Sequence, residues 1–103
     1  MIRHMVLVRF RSDVTDDQKA ALFDGLNALR NHLPGVLDFR SGRNVSPETH
    51  LVRGFNHVFW FDFEDARSRD IYLDDPDHKT AGAQLVAHTE GGRDGLMVAD
   101  FEV

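Results

Sequence analysis

The chain has 103 residues, of which 42% are hydrophobic and 28% are charged, and its net charge is −5 at pH 7. This length allows one hydrophobic core but not two, so we predict a single domain over residues 1–103. The acidic balance disfavours non-specific nucleic-acid binding, and the lack of cysteine excludes disulfides, a thiolate nucleophile and a cysteine-ligated zinc site.

The N-terminal half predicts a strand, a helix and a second strand. Residues 2–10 show an alternating pattern of side chains and are rich in Val, Leu and Phe, which is typical of a strand. Thr15 and Gln18 form a capping-box pattern, and leucines at steps of four, three and four follow it, which predicts an amphipathic helix that ends at a Pro-Gly pair. A short strand at 36–41 then leads into a polar loop or hairpin arm at 41–54.

The C-terminal half predicts a strand, a broken helix and a last strand. Residues 55–63, FNHVFWFDF, have the strongest strand pattern of the chain. A helix follows and ends near Asp74, and Asp75-Pro76 predicts the N-cap and first residue of another helix. GGRDG ends that helix, and residues 96–103 predict the last strand. The order β-α-β-β-α-β indicates an α+β, ferredoxin-like fold whose second helix is broken in two.

Helices cover only one face of such a sheet, and the other face still carries large apolar groups. These are Met5, Leu7, Val58 and Trp60. An open apolar sheet face usually packs against another copy of itself. We therefore predict a homodimer through this face.

Six segments, in order along the chain, resemble one known family. They are IRHMVLVRF at 2–10, LPGV at 33–36, SGRNVSPE at 41–48, GFNH at 54–57, YLDDPDH at 72–78 and DFEV at 100–103. The chain resembles the stress-responsive A/B barrel (Dabb) family over nearly its full length. The resemblance implies a dimeric α+β barrel in which two ferredoxin-like sheets meet.

Three histidines and a tyrosine have positions that suggest a site. His4 and His57 lie on apolar faces of strands that are neighbours in this fold, so we expect them to share a cavity. His78 begins a helix, whose N-terminal dipole favours the neutral imidazole that a general base needs, whereas Asp75 nearby favours imidazolium unless it serves as a cap. Tyr72 can donate a hydrogen bond to a developing oxyanion. The alternative is that all four are structural.

The resemblance favours a functional role for these four residues. A polyketide cyclase of the family performs an aldol closure without a cofactor, which implies Tyr72 and His78 as the catalytic pair and no cofactor here. We predict a small, partly apolar carbonyl compound as the ligand, bound by His4, His57, Val6, Val8, Phe23 and Phe59. The family's usual His-Pro-x-His is replaced by Asp-Pro-Asp-His at 75–78, so the shape of the substrate does not carry over.

Parts of the sequence also fit other functions. RGFNHVFW at 53–60 resembles the central strand motif of RNA-recognition domains, with Phe55 and His57 stacking on bases, but the acidic balance opposes that interpretation. Carboxylates in the DDPD turn allow a weak hard-cation site, although no histidine spacing supports a tight one, and we predict no metal. A non-catalytic, stress-linked dimer and a cofactor-independent monooxygenase are the remaining alternatives.

The sequence also bears on location. The N-terminus lacks the long apolar core of a signal peptide, and no apolar run approaches the length of a membrane span. Together with the absence of cysteine, this predicts a cytoplasmic protein without a membrane partner.

Overall fold

The computed structural model describes residues 1–103 as a four-stranded antiparallel sheet with helices packed on one face. The strands are β1 (Ile2–Val8), β2 (Val36–Arg43), β3 (His57–Phe63) and β4 (Leu96–Glu102). The helices are α1 (Asp16–Ala28), α2 (Thr49–Val52), α3 (Ala66–Asp74) and α4 (Pro76–Val86), with 3-10 turns at Leu29–Asn31 and Gly92–Gly95. The sheet order is β2-β3-β1-β4, so the predicted ferredoxin-like α+β fold is confirmed.

Three boundaries differ from the sequence-based expectation. β1 ends at Val8, because Phe10 makes only an isolated bridge to Thr89. β3 begins at His57, two residues later than predicted. The segment at 41–54 is predicted as a polar loop or hairpin arm; it contains the last residues of β2, as a hairpin arm would, and the short helix α2, which the sequence pattern does not reveal because it is a single turn.

Side-chain caps fix where the helices begin. The Thr15 hydroxyl accepts from the Gln18 backbone N–H at 3.2 Å, and the Gln18 side chain accepts from the Thr15 N–H at 2.8 Å, as the capping box predicts. Asp75 ends α3 and caps α4 by accepting from the His78 N–H at 3.0 Å. The break between the two helices therefore lies where the sequence places it, and it brings Tyr72 and His78 to one corner.

The core lies between the helix face of the sheet and the helices. β3 contributes Phe59, Phe61 and Phe63, which alternate with residues on the opposite face as predicted. Residues of the helices pack over these rings: Phe23, Leu26, Tyr72 and Leu85. His4 is buried on the same side of the sheet, so a titratable group lies at the edge of the hydrophobic core.

The opposite face of the sheet carries the apolar groups that the sequence indicated. Its centre consists of Met5, Leu7, Val58 and Trp60, which are half-buried, and β4 adds Met97 at 50% and Phe101 at 43% exposure. We call these six residues the open sheet face. At its edge Arg3 forms a two-bond ion pair with Asp62, at 2.8 and 3.1 Å, and covers the Trp60 ring at 5.0 Å.

None of the helices combines the length and the apolar composition that crossing a membrane requires.

Candidate active site

A cavity of about 180 Å³ lies between the sheet and the corner formed by α3 and α4. Polar groups reach it from three elements: His4 from β1, Tyr72 from α3 and His78 from α4. Its other walls are apolar side chains and one glycine: Val6, Leu26, Phe59, Leu73, Gly82, Leu85, Leu96 and Val98. Because Val98 is 58% exposed, the cavity opens to solvent beside the edge strand β4. We call this space the histidine–tyrosine cavity.

Other grooves on the molecule are larger, up to about 340 Å³, but polar residues dominate their walls. Mainly apolar walls with a few convergent polar groups are typical of small-molecule sites. The histidine–tyrosine cavity has that character, and it is smaller than the roughly 300–1,000 Å³ of pockets for drug-sized ligands. It therefore suits a small compound or one end of a longer one.

Tyr72 and His78 lie in direct contact at the back of this cavity. Their ring centroids are 4.0 Å apart with planes at 38°. Tyr72 is only 1% exposed and packs against Phe61 and Phe63, with ring centroids at 4.7 and 5.1 Å. Burial, and to a lesser degree the Asp100 carboxylate, raises the pKa of Tyr72. The phenol therefore keeps its proton at neutral pH and can only donate it in a hydrogen bond.

One of the two ring nitrogens of His78 has no hydrogen-bond partner. Its Nδ1 is buried and makes no hydrogen bond within the protein. Burial lowers the pKa of His78 below its ordinary value of 6.5, and the nearby Leu73 carbonyl and Asp75 carboxylate only partly oppose this. Asp75 is engaged elsewhere, because it caps α4 and also pairs with His32 at 3.0 Å. The pKa is therefore lowered mainly by burial, an influence that was not predicted from the sequence for His78.

His4 is held by two charged residues of other elements. Its Nδ1 lies 2.6 Å from Asp100 on β4, and the other oxygen of Asp100 accepts from Arg69 of α3 at 2.9 Å. Burial acts to raise the pKa of Asp100, but the hydrogen bonds from His4 and Arg69 outweigh it and lower that pKa. Asp100 is therefore ionised, so His4 carries its proton on Nδ1 and donates it to the carboxylate.

The structure brings five of the eight predicted site residues to the histidine–tyrosine cavity and places three elsewhere. His78, Tyr72, His4, Val6 and Phe59 line it. The others, Val8, Phe23 and His57, do not.

The strand register explains this separation. On the helix face His4 pairs with Phe61, whereas His57 pairs with Val8. The two histidines are therefore four residue pairs apart, or roughly 13 Å along the strands, and the prediction that they share a cavity is wrong. Val8 is fully enclosed in the core. Phe23 packs between Phe59 and His57, at ring distances of 5.9 and 6.3 Å, and so separates the two regions.

Sequence reasoning missed several residues of this site. Asp100 and Arg69, which orient His4, were not singled out, nor was Gly82 in the cavity wall. Asp100 could have been found from the sequence. The predicted sheet order puts the last strand beside the first, and Asp100 is a polar residue in a strand whose side chains alternate between the two faces. For Arg69 and Gly82 the sequence offers no comparable signal.

The structure also bears on the two rival site types. The RNA-binding alternative needs Phe55 and His57 on an open surface, but Phe55 is buried with the Arg9 guanidinium 4.5 Å over its ring, and His57 is on the helix face. At the DDPD turn, Asp75, Asp77 and His32 bring one donor atom each within 4.8 Å of one another. These three residues could hold a hard divalent cation, although Asp75 already caps α4.

Comparisons with known proteins agree with the fold. The family model described as the stress responsive A/B barrel domain matches residues 2–103. The chain is 25% identical over 77 residues to olivetolic acid cyclase of Cannabis sativa, which covers 75% of each chain. It is 26% identical over 101 residues to the stress-response A/B barrel domain-containing protein HS1 of Arabidopsis thaliana, covering 98% of this chain and 88% of that one.

Among solved structures, a dimeric ferredoxin-like protein from Jannaschia sp. CCS1 superposes with a TM-score of 0.89 at 31% identity. The match covers 99% of this chain and 98% of that chain.

Proposed function

The chain belongs to the stress-responsive A/B barrel domain family, and from this premise we propose that it binds a small, partly apolar carbonyl compound and catalyses proton transfer next to the carbonyl without a cofactor. One observation carries the proposal: the buried Nδ1 of His78 has no hydrogen-bond partner in the protein, and His78 lines the apolar cavity beside Tyr72. A buried polar atom left unpaired costs about 1–3 kcal/mol, which a ligand that pairs with it would recover.

The proposed step begins with His78 as the base. The neutral imidazole takes a proton from the carbon next to the carbonyl, and the electron pair of the broken C–H bond moves onto the carbonyl oxygen to form an enolate. The Tyr72 hydroxyl donates a hydrogen bond to that oxygen and keeps its own proton. The enolate carbon then attacks a second carbonyl of the same ligand, and the imidazolium returns its proton to the new alkoxide. This is an aldol closure of the cyclase type.

His4 is proposed to position this pair. Its ring edge faces the Tyr72 ring at 5.7 Å between centroids, and Asp100 and Arg69 fix its orientation. A ring held in this way limits the movement of Tyr72. The surrounding leucine, valine and phenylalanine side chains lower the local dielectric, which strengthens the hydrogen bond to the enolate.

Ligand-dependent thermal stabilisation tests the binding part of the proposal. We expect a compound among aromatic ketones and β-polyketo compounds to stabilise the protein by about 2.7 kcal/mol when present at one hundred times its Kd. His78→Ala should weaken this shift, whereas His50→Ala should not, because His50 is exposed on α2 and is not one of the cavity-wall residues. No shift with any compound in either protein would contradict the proposal.

Gly82 offers a test of ligand size. A Cβ at Gly82 would meet no atom within 4 Å, and the residue is in the middle of α4 at ordinary helical φ, so packing does not require glycine there. We expect Gly82→Ala to raise the free energy of unfolding by about 0.5–1 kcal/mol. It should also narrow the cavity and weaken the binding of branched ligands more than the binding of linear ligands.

The matched control for this substitution is Gly25→Ala in α1. Gly25 is also helical and unobstructed, but it is outside the cavity wall. It should give the same stabilisation in a urea titration and leave ligand preference unchanged. If both variants shifted ligand preference equally, Gly82 would not set the width of the cavity.

We also propose that the functional form is a homodimer through the open sheet face. In the single chain this face leaves Met97 and Phe101 exposed and the buried Nε1 of Trp60 without a partner. The similar Jannaschia protein is described as dimeric. These observations support a second copy as the group that covers the face.

Light scattering after size-exclusion chromatography tests the dimer. The native protein should have about twice the 11.7 kDa mass of the chain. Met97→Glu places a charge in the proposed interface and should give a monomer. The control is Val45→Glu, because Val45 is 87% exposed and lies beyond the end of β2. A monomeric native protein, or a dimer that both variants retain, would contradict this interface.

A non-catalytic binding protein is the second candidate. The packing of Tyr72 among Phe61 and Phe63 favours it, because that packing alone justifies an aromatic residue at this position. Such a protein would show ligand-dependent stabilisation but no exchange of protons on the bound ligand.

A further inference from the structure

A second groove, of about 340 Å³, lies at the end of the sheet where β1 ends and β3 begins. It is separate from the histidine–tyrosine cavity and shares no wall residue with it. Four of its nine wall residues are cationic or potentially cationic, against one carboxylate, Glu90: they are Arg9, Arg11, Lys19 and His57. Arg11 is already engaged, because it pairs with Asp13 at 3.0 Å and donates to the Ala87 carbonyl. In a chain with a net charge of −5, this concentration of positive groups is unusual. We call it the basic groove.

The Arg9 side chain is held in place, and one of its hydrogen-bond donors has no partner. Its guanidinium stacks 4.5 Å over the Phe55 ring, and its Nε is buried with no partner. Gly54 makes room for it, because a Cβ at that position would come within 3.2 Å of the Arg9 side chain and the φ of +81° disfavours other residues. The Arg9 side chain therefore has one donor that no protein group uses.

Lys19 and His57 both contact the Phe10 ring. The Lys19 ammonium lies 5.6 Å from the centre of that ring, and the His57 ring contacts it edge-on at 5.2 Å. The only ion pair of Lys19 is a 3.7 Å contact with Asp16, whose side chain is fully exposed. Such a pair contributes little in water, so the ammonium remains available to another anion.

The charges around His57 indicate that the potential there is positive. Burial lowers the pKa of His57, and Lys19 of α1 and Arg43 of β2 lower it further, while Asp16 opposes them less strongly. Glu90, the one carboxylate in the groove walls, does not reverse this balance. A site with excess positive charge and an unused buried donor has the features of an anion site.

We infer that the basic groove binds a small anionic group, a carboxylate or a phosphate. Arg9 would donate from its guanidinium, Lys19 would supply charge, and His57 would donate a ring N–H to the same group. The inference does not rest on the proposed carbonyl chemistry, because the two sites share no wall residue and Phe23 packs between them.

The titration of His57 followed by NMR tests the inference directly. Inorganic phosphate and acetate serve as probes, added at constant ionic strength with sodium chloride as the reference salt. We expect a saturable rise in the pKa of His57 with at least one probe, because a bound anion favours the imidazolium. A stronger response to phosphate would indicate a phosphorylated ligand, and an equal response to acetate would indicate a carboxylate.

Three variants make the result specific. Arg9→Gln and Lys19→Gln should each weaken the apparent affinity for the probe about tenfold, the effect expected from losing one charge-assisted hydrogen bond. Arg67→Gln makes the same change of charge on exposed α3, outside the groove, and should leave binding unchanged. Two results would overturn the inference: no saturable shift with either probe, or native affinity in both groove variants.

Discussion

Replacing His78 with glutamine should slow proton exchange on a bound ketone by about 10²–10⁴-fold, the usual contribution of a general base. Exchange is measured by NMR as the uptake of deuterium from deuterium oxide at the carbons next to the carbonyl of 2-heptanone. This readout needs no knowledge of the natural substrate, because any ketone that enters the cavity presents such carbons. Glutamine keeps a polar side chain at the position but cannot accept a proton near neutral pH.

The pH dependence of the exchange rate provides an internal check. Burial lowers the pKa of His78, so the neutral base persists to pH values below 6.5. The rate should therefore be level at pH values well above the lowered pKa and fall as the pH drops through it. The His50→Ala control should exchange at the native rate. If His78→Gln and the native protein exchanged equally fast, His78 would not be the base.

Replacing Tyr72 with alanine should have the largest effect on stability. A second substitution at Tyr72 should have a separate effect on the rate of deuterium uptake. Tyr72→Ala removes a ring that is buried among Phe61, Phe63 and His78. We expect a loss of about 3–5 kcal/mol, the range for truncating a large buried aromatic residue. Since small domains have only about 5–15 kcal/mol of stability, that loss would leave the protein close to unfolding.

Tyr72→Phe separates packing from chemistry. It keeps the ring and removes only the hydroxyl, so urea titration should give nearly native stability. Removing one donor to an oxyanion lowers rates by about 10²–10³-fold, and we expect a fall of that order in deuterium uptake. Native uptake in Tyr72→Phe would assign Tyr72 a packing role and favour the non-catalytic alternative.

Much of the fold follows from local patterns in the sequence. The alternation at 55–63 and the capping box at Thr15 each depend on residues close together in the chain, and both are present in the structure. The helix break at Asp75 is also local, because a cap and a proline act on their own helix. The corner that brings Tyr72 and His78 together could be predicted for that reason.

The parts of the site that depend on contacts between residues far apart in the sequence could not be predicted in the same way. The pair of His4 and Asp100 joins residues 96 positions apart, and it requires the register between β1 and β4. The error over His57 has the same origin. Neighbouring strands and a common face were predicted correctly, but the register places His57 opposite Val8 and not beside His4. A pattern of faces specifies which side chains share a surface but not how far apart they lie along it.

The measurement that tests the mechanism most directly is the NMR titration of the His78 imidazole with and without a bound ketone. We expect a pKa below 6.5 in the free protein. The mechanism requires ring nitrogen resonances that shift when 2-heptanone binds, because the ligand enters the cavity beside the unpartnered Nδ1. Ring resonances that saturating ketone leaves unchanged would contradict it.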